Sequence, residues 1–164
     1  MKRLALLLVV LVCLSVTAFA ADVPGGDVFG GFSINHSSFT GGSVTSYGWQ
    51  GSAAFNVQKS VGVVADFGGQ YKNGGHAYEY LFGPRFNARM DKVTYFGEAL
   101  FGGVSGGGSK AFAMGYGGGI DVKAGEKLMV RAIQVDWIPQ HFSGVWLKKD
   151  VRFGFGVVMP FGKK

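Results

Sequence analysis

Two short histidine and serine clusters have the residue types for covalent chemistry: His36-Ser37-Ser38 and His141-Phe142-Ser143. A nucleophilic serine needs a base within hydrogen-bond reach and a carboxylate that orients the base. Neither cluster has an acid placed convincingly beside it, and both fall in segments read as loops, where polar residues are the default. The glycine run from Gly102 to Gly108 invites comparison with a phosphate-binding loop. It lacks the Gly-Lys-Ser/Thr order and a following helix, so it reads as a flexible turn. The three histidines are scattered and the single cysteine, Cys13, lies in the N-terminal apolar run. No metal ligand set is visible and no cofactor is implied.

The charged residues inside the predicted strands form a different group. Asp66, Glu79, Glu98, Asp121 and Asp136 stand against Arg85, Arg131 and Arg152. Few, mixed in sign and embedded among apolar residues, they read as partners in an interior polar network. Arginine suits such a place because its planar fork satisfies two carboxylates while staying charged.

The elements that must position this network follow from composition and periodicity. The 164 residues include 29 glycines, 4 prolines, 15% aromatic and only 16% charged residues, which excludes collagen, disordered tails and disulfide-stapled scaffolds. Residues 1–20 read as a secretory signal: Lys2 and Arg3, an apolar run from Leu4 to Val16, then Ala18-Phe19-Ala20 as an A-x-A cleavage site. Cleavage after Ala20 leaves residues 21–164, a 144-residue chain without cysteine that carries all 29 glycines. That is about a fifth glycine, against a usual share of roughly 7%.

From Asp27 onward the chain divides into eight segments with period-two alternation: 27–36, 47–57, 61–71, 76–88, 93–104, 110–122, 127–138 and 150–162. One parity carries bulky apolar residues, as in Tyr47, Trp49, Phe55 or Phe153, Phe155, Val157, Met159 and Phe161; the other carries glycine, small polar residues and single charges. An even number of antiparallel strands can close into a barrel without free edges. Lysine placement decides which face is outward. All ten lysines after the leader lie in turns, in loops or at segment ends. A soluble barrel with an apolar interior would spread such residues along its wet strand faces. The fold class expected is therefore all-β: an eight-stranded antiparallel up-and-down transmembrane barrel, one domain over residues 21–164, with the apolar parity toward lipid.

Connections near 58–60, 89–92 and 123–126 read as tight and those near 37–46 and 139–149 as longer, which places both termini in the periplasm; the two other outer links, near 72–75 and 105–109, read as short. Tyr47, Trp49, Tyr71, Tyr78, Tyr95, Trp137 and Phe161 near segment ends suit interfacial girdles. Two irregularities stand out. Arg131 and Asp136 have opposite parity, so a bulge is needed to bring both inward, unless Arg131 snorkels to the inner interface. Pro84 removes a ladder donor and predicts a second local bulge.

The net charge of +6 falls to +4 without Lys2 and Arg3. Turn-confined lysines point to rim contacts with lipid phosphates rather than to nucleic acid, with Lys148 and Lys149 as the expected lipopolysaccharide contacts.

With these eight segments, the leader and the aromatic last strand, the sequence resembles the small outer-membrane β-barrel family that includes OmpA-type transmembrane domains and opacity-type porin-like proteins. The resemblance runs from about Asp27 to Gly162 and rests on Leu81-Phe82-Gly83-Pro84-Arg85-Phe86, Gly117-Gly118-Gly119-Ile120-Asp121, Gln134-Val135-Asp136-Trp137 and Arg152-Phe153-Gly154-Phe155-Gly156. It implies residence in the outer membrane of a Gram-negative-type bacterium, insertion by the barrel-assembly machinery reading Phe153 to Phe161, and a structural or porin-like envelope role as a monomer. Many members end on an aromatic residue; this chain continues with Gly162-Lys163-Lys164. The alternatives carried forward are an outer-membrane lipid-modifying enzyme resembling lipid A deacylases, which use a His-x-Ser pair and an acid, and a soluble periplasmic lipocalin-like binding barrel.

Overall fold

A computed structural model describes residues 24–39 and 41–163. The expected leader over residues 1–20, with Cys13, and the terminal Lys164 lie outside the described residues.

Alternating residues with β-branched and aromatic side chains on one parity make extended strands that can hide one face and wet the other. Ten strands result: β1 Pro24–Phe39, β2 Gly42–Asn56, β3 Val61–Lys72, β4 Gly75–Arg89, β5 Val93–Gly106, β6 Ser109–Lys123, β7 Met129–Trp137, β8 Gln140–Phe142, β9 Val145–Leu147 and β10 Asp150–Lys163. Eight of them, β1 to β7 and β10, form a closed antiparallel barrel. Each pairs with its sequence neighbour, β7 pairs with β10, and β10 pairs with β1 to close the ring. The short β8–β9 hairpin extends from one rim, where β8 pairs with β6 through Phe112↔His141 and Ala113↔Gln140.

The apolar parity faces outward. Phe55, Phe67, Phe82, Phe86, Phe101, Phe153, Phe155 and Val157 are all exposed around the barrel wall, while the opposite parity holds Arg85, Arg131 and Arg152 almost wholly buried. This arrangement suits hydrocarbon outside and polar contacts inside. A soluble barrel with an apolar interior is the inverse of it. Rings gather at both ends of the wall. Tyr47 and Tyr71 are register partners, Tyr71 meets Tyr78 edge-on at 6.4 Å, and the Trp49 indole donates to the Tyr71 hydroxyl at 3.4 Å. Gly69 makes room for this girdle, since a Cβ there would stand 2.5 Å from the Trp49 indole nitrogen. At the other end Phe55 packs edge-on against Phe161 at 5.7 Å.

Three sequence expectations change. The ladder between β1 and β2 runs on to Phe39↔Gly42, so residues 37–46 are strand rather than a long loop. This stretch, His36-Ser37-Ser38 against Ser43-Val44-Thr45, is polar but for Val44, so the alternation that marks a lipid-facing strand fades beyond the belt. At the end remote from the termini, three links are two-residue hairpin turns with positive φ at both central residues: Asn73-Gly74, Gly107-Gly108 and Ser143-Gly144. The first two are the short outer links expected from the sequence; with 37–46 folded into strand, the contrast in connection length rests on the stretch between Trp137 and Asp150, which carries β8 and β9. Finally, Pro84 sits in register opposite Val63, and the β4–β5 ladder passes from Phe82↔Phe101 to Arg85↔Glu98 without a shift. The missing donor is accommodated by a gap in the ladder, not by a bulge.

Candidate functional site

The barrel interior is where charged side chains converge. Odd-numbered positions of β4 and even-numbered positions of β3 and β5 point inward, which brings Glu79 and Arg85, Asp66, and Glu98 to one lumen. From β7 and β10 come Arg131, Gln134, Asp136 and Arg152. A bulge in β7 makes this set coherent. Asp121 pairs with Arg131 but Ile120 pairs with Ile133, so Ala132 is the extra residue and both Ala132 and Ile133 face outward. Arg131 and Asp136 therefore both point inward, each fully or almost fully buried.

Arg152 is the hub toward the rim remote from the termini. Its guanidinium contacts Asp66 Oδ1 at 2.8 Å, donates to Glu79 Oε2 at 2.9 Å and donates to Asp136 Oδ2 at 2.8 Å. Gln50 steadies Asp66 by donating to its Oδ2 at 2.7 Å. Nearer the termini, Arg85 donates to Glu98 Oε2 at 2.9 Å and to Asp27 Oδ1 at 3.2 Å. Arg131 grips Asp121 through two bonds of 2.8 and 3.1 Å.

Gln134 joins these clusters. Its amide oxygen accepts from Arg131 at 2.7 Å, and its amide nitrogen donates to Glu98 Oε1 and to Asp136 Oδ2, both at 2.9 Å. A continuous polar chain thus runs from Asp27 through Arg85, Glu98, Gln134 and Asp136 to Arg152. Charges so deeply buried are tolerable only when paired and hydrogen-bonded, and here six carboxyl groups surround three guanidiniums.

All eight strand charges singled out in the sequence lie in this lumen, Arg131 by way of the bulge. Sequence reading missed Gln134 as the linker, Asp27 as a second carboxyl group for Arg85, and two inward aromatics. The Arg131 guanidinium lies 4.2 Å from the Phe29 ring centroid and 4.3 Å from that of Phe96, a cation sandwiched between two π faces. Phe29 shares the parity of Ser33 and Asn35, a cue that was present; Phe96 lies in β5, where both parities carry apolar residues. One wall of the lumen is apolar, with Leu81, Leu100, Ala113 and Ile138 packed together.

The histidine and serine clusters stay at the rim. His36 Nδ1 is 3.0 Å from Thr45 Oγ1 and its Nε2 is 3.4 Å from Ser38 Oγ. The ring nitrogen that would need a carboxylate faces a threonine hydroxyl instead. His141 packs at a tilt against Trp146 with ring centroids 5.0 Å apart, and Ser143 forms the hairpin tip with φ of 46°. Among the described residues no group of three or more His, Cys, Asp or Glu is disposed to hold a metal ion. Lys148 and Lys149 have exposed side chains, while their carbonyls accept from the Trp137 indole at 2.7 Å and the Ser38 amide at 3.1 Å. Their backbone is thus tied to the rim.

An apolar exterior, aromatic ends, a closed eight-stranded ring and a charged, sealed interior define a small integral outer-membrane-type β-barrel. Solved structures agree on this fold. Neisserial surface protein A is similar at TM-score 0.68 and 14% identity, covering 84% of this chain and 97% of that one. Ail, the attachment invasion locus protein of Yersinia pestis, is similar at TM-score 0.60 and 15% identity, covering 85% of this chain and 100% of that one. The N-terminal barrel domain of Pseudomonas aeruginosa OprF is similar at TM-score 0.54 and 13% identity, covering 84% and 98%. No protein-family model and no curated relative matches the chain.

Proposed function

We propose that this protein is a monomeric structural or porin-like component of a Gram-negative-type outer membrane, with both termini in the periplasm and the β8–β9 rim outside the cell. The observation that carries this reading is the pairing of an apolar wall with a lumen whose arginines are sealed from water. Arg131 and Arg152 are 0% exposed and Arg85 1%. Such an interior braces the barrel rather than conducting through it. In this reading the barrel-assembly machinery inserts the chain through its aromatic β10, no nucleic acid is bound, and the protein is not an enzyme. The partners of the two candidate histidines support the last point: His36 meets the Thr45 and Ser38 hydroxyls and His141 packs against Trp146, and a serine without a complete relay lacks its activated form.

Lys148 and Lys149 are assigned to lipopolysaccharide phosphates: their backbone is pinned at the rim while their side chains are exposed, so the two charges are held at headgroup level. Expected in tests are recovery in the outer-membrane fraction, heat-modifiable gel migration, and cleavage by external protease at a site engineered between Ser143 and Gly144 in intact cells. Cleavage only after permeabilisation would reverse the orientation. Charge reversal at both lysines should lower the barrel's melting temperature in lipopolysaccharide but not in zwitterionic lipid; an equal effect in both would remove the lipopolysaccharide assignment.

A further inference from the structure

Above the Arg152 cluster, at the rim carrying β8 and β9, the lumen opens into a cavity of about 250 Å³. This is room for several waters at ~30 Å³ each, or for one small organic molecule. Its polar lining includes Asn35, Gln70, Glu79 and Asp150, and neither lysine nor arginine contributes to it.

Two of these side chains are incomplete as they stand. Gln70 is 4% exposed and Asn35 6%, yet Gln70 Oε1 and Asn35 Oδ1 have no hydrogen-bond partner. The Gln70 amide is oriented by its nitrogen, which donates to Ser33 Oγ at 2.7 Å, so the carbonyl is left over for something else. Buried acceptors without donors cost free energy of the order of a lost hydrogen bond. Glu79 below and Asp150 at the side add carboxyl oxygens; Asp150 Oδ2 is positioned by the Gln140 amide at 2.8 Å. The cavity therefore offers acceptors and negative charge, and it asks for donors and positive charge.

We propose that this outer cavity binds a small primary ammonium compound. An ammonium group supplies three donors and a charge, which matches two amide carbonyls beside carboxylates. The rest of the lining selects an organic cation over a hydrated metal ion. Ala77, Val104 and Leu147 border the same space and suit a methylene stem, whereas a metal ion with its water shell gains nothing from them. The fixed charges of the lumen below, with six carboxyl groups to four guanidiniums once Arg89 at the far end is counted, disfavour an anion.

The test uses the folded barrel in phosphatidylcholine nanodiscs, titrated with n-butylammonium, magnesium chloride and the neutral isostere butan-1-ol. Saturable binding of butylammonium is expected, with side-chain amide NMR shifts at Gln70 and Asn35 of the unaltered protein. Asp150→Asn and Gln70→Met should each weaken it at least ten-fold while leaving heat-modifiable migration unchanged. Magnesium binding of equal or greater affinity, equal binding of the alcohol, shifts located elsewhere, or affinity indifferent to both substitutions would each overturn the assignment. If either variant misfolds, the amide shifts in the unaltered protein decide the matter alone.

Discussion

Arg152 holds Asp66, Glu79 and Asp136 within 2.8 to 2.9 Å, three carboxyl groups contributed by three different strands. Removing one partner of a buried ion pair is costly because the remaining charge has no solvent to relax into. Arg152→Met should therefore destabilise the folded barrel by about 3–5 kcal/mol, measured as a shift in the urea midpoint in lipid vesicles. A loss below about 1 kcal/mol would mean that water reaches the cluster and replaces the guanidinium. The participants were legible because they are the few charges inside segments otherwise built of glycine, small polar and apolar residues. Their partners were not legible. Which carboxyl group meets which arginine depends on the stagger of strands around the ring, and on side chains such as Gln134 that reach between levels.

At the scale of elements, β7 carries a sharp prediction. Ala132 is the bulged residue, and Arg131, Ile133 and Gln134 alternate properly if it is omitted. Deletion of Ala132 should leave every other side chain on its present face and preserve folding. Deletion of Val135 would set Asp136 directly after Gln134 and force one of them toward lipid, so the folded fraction on unheated gels should collapse. Equal behaviour of the two deletions would disprove the bulge. The lipid-facing assignment of β10 has its own check: Phe153→Arg should cost about 2–4 kcal/mol if Phe153 lies near the bilayer midplane, read by the same urea titration. A negligible change would place that face in water.

The need for a bulge could be read from two charges of opposite parity, because a charge in hydrocarbon is too costly to ignore. The extension of β1 and β2 could not, since strands that rise above the membrane have no lipid face to impress a period on their sequence. Pro84 misled for a related reason. A proline costs a ladder bond, but its register is held by the neighbouring pairs Phe82↔Phe101 and Arg85↔Glu98.

Considered whole, the molecule has a lumen filled at the level of its arginines and an open cavity above them. In planar bilayers it should show weak or no single-channel conductance, as expected when eight strands enclose little more than their own side chains. A large and stable conductance would show that the polar network yields, and would restore a transport role. Eight strands, their order and their outward face were within reach of periodicity and lysine placement. The cavity was not, because its lining comes from stretches as distant as Asn35 and Asp150, and only the closed ring sets them side by side.

That ring is sealed by one pair of strands, from Pro24↔Lys163 to Ser37↔Asp150. Each other barrel strand pairs with its neighbour in the chain, a local event once both are extended; this pairing joins the beginning of the barrel to its end. Until it forms, β1 and β10 are exposed edges with apolar faces, the kind of surface that recruits other chains. The barrel is in this sense unfinished until β10 has been made, and its safe assembly depends on the first strand being kept from other partners until then.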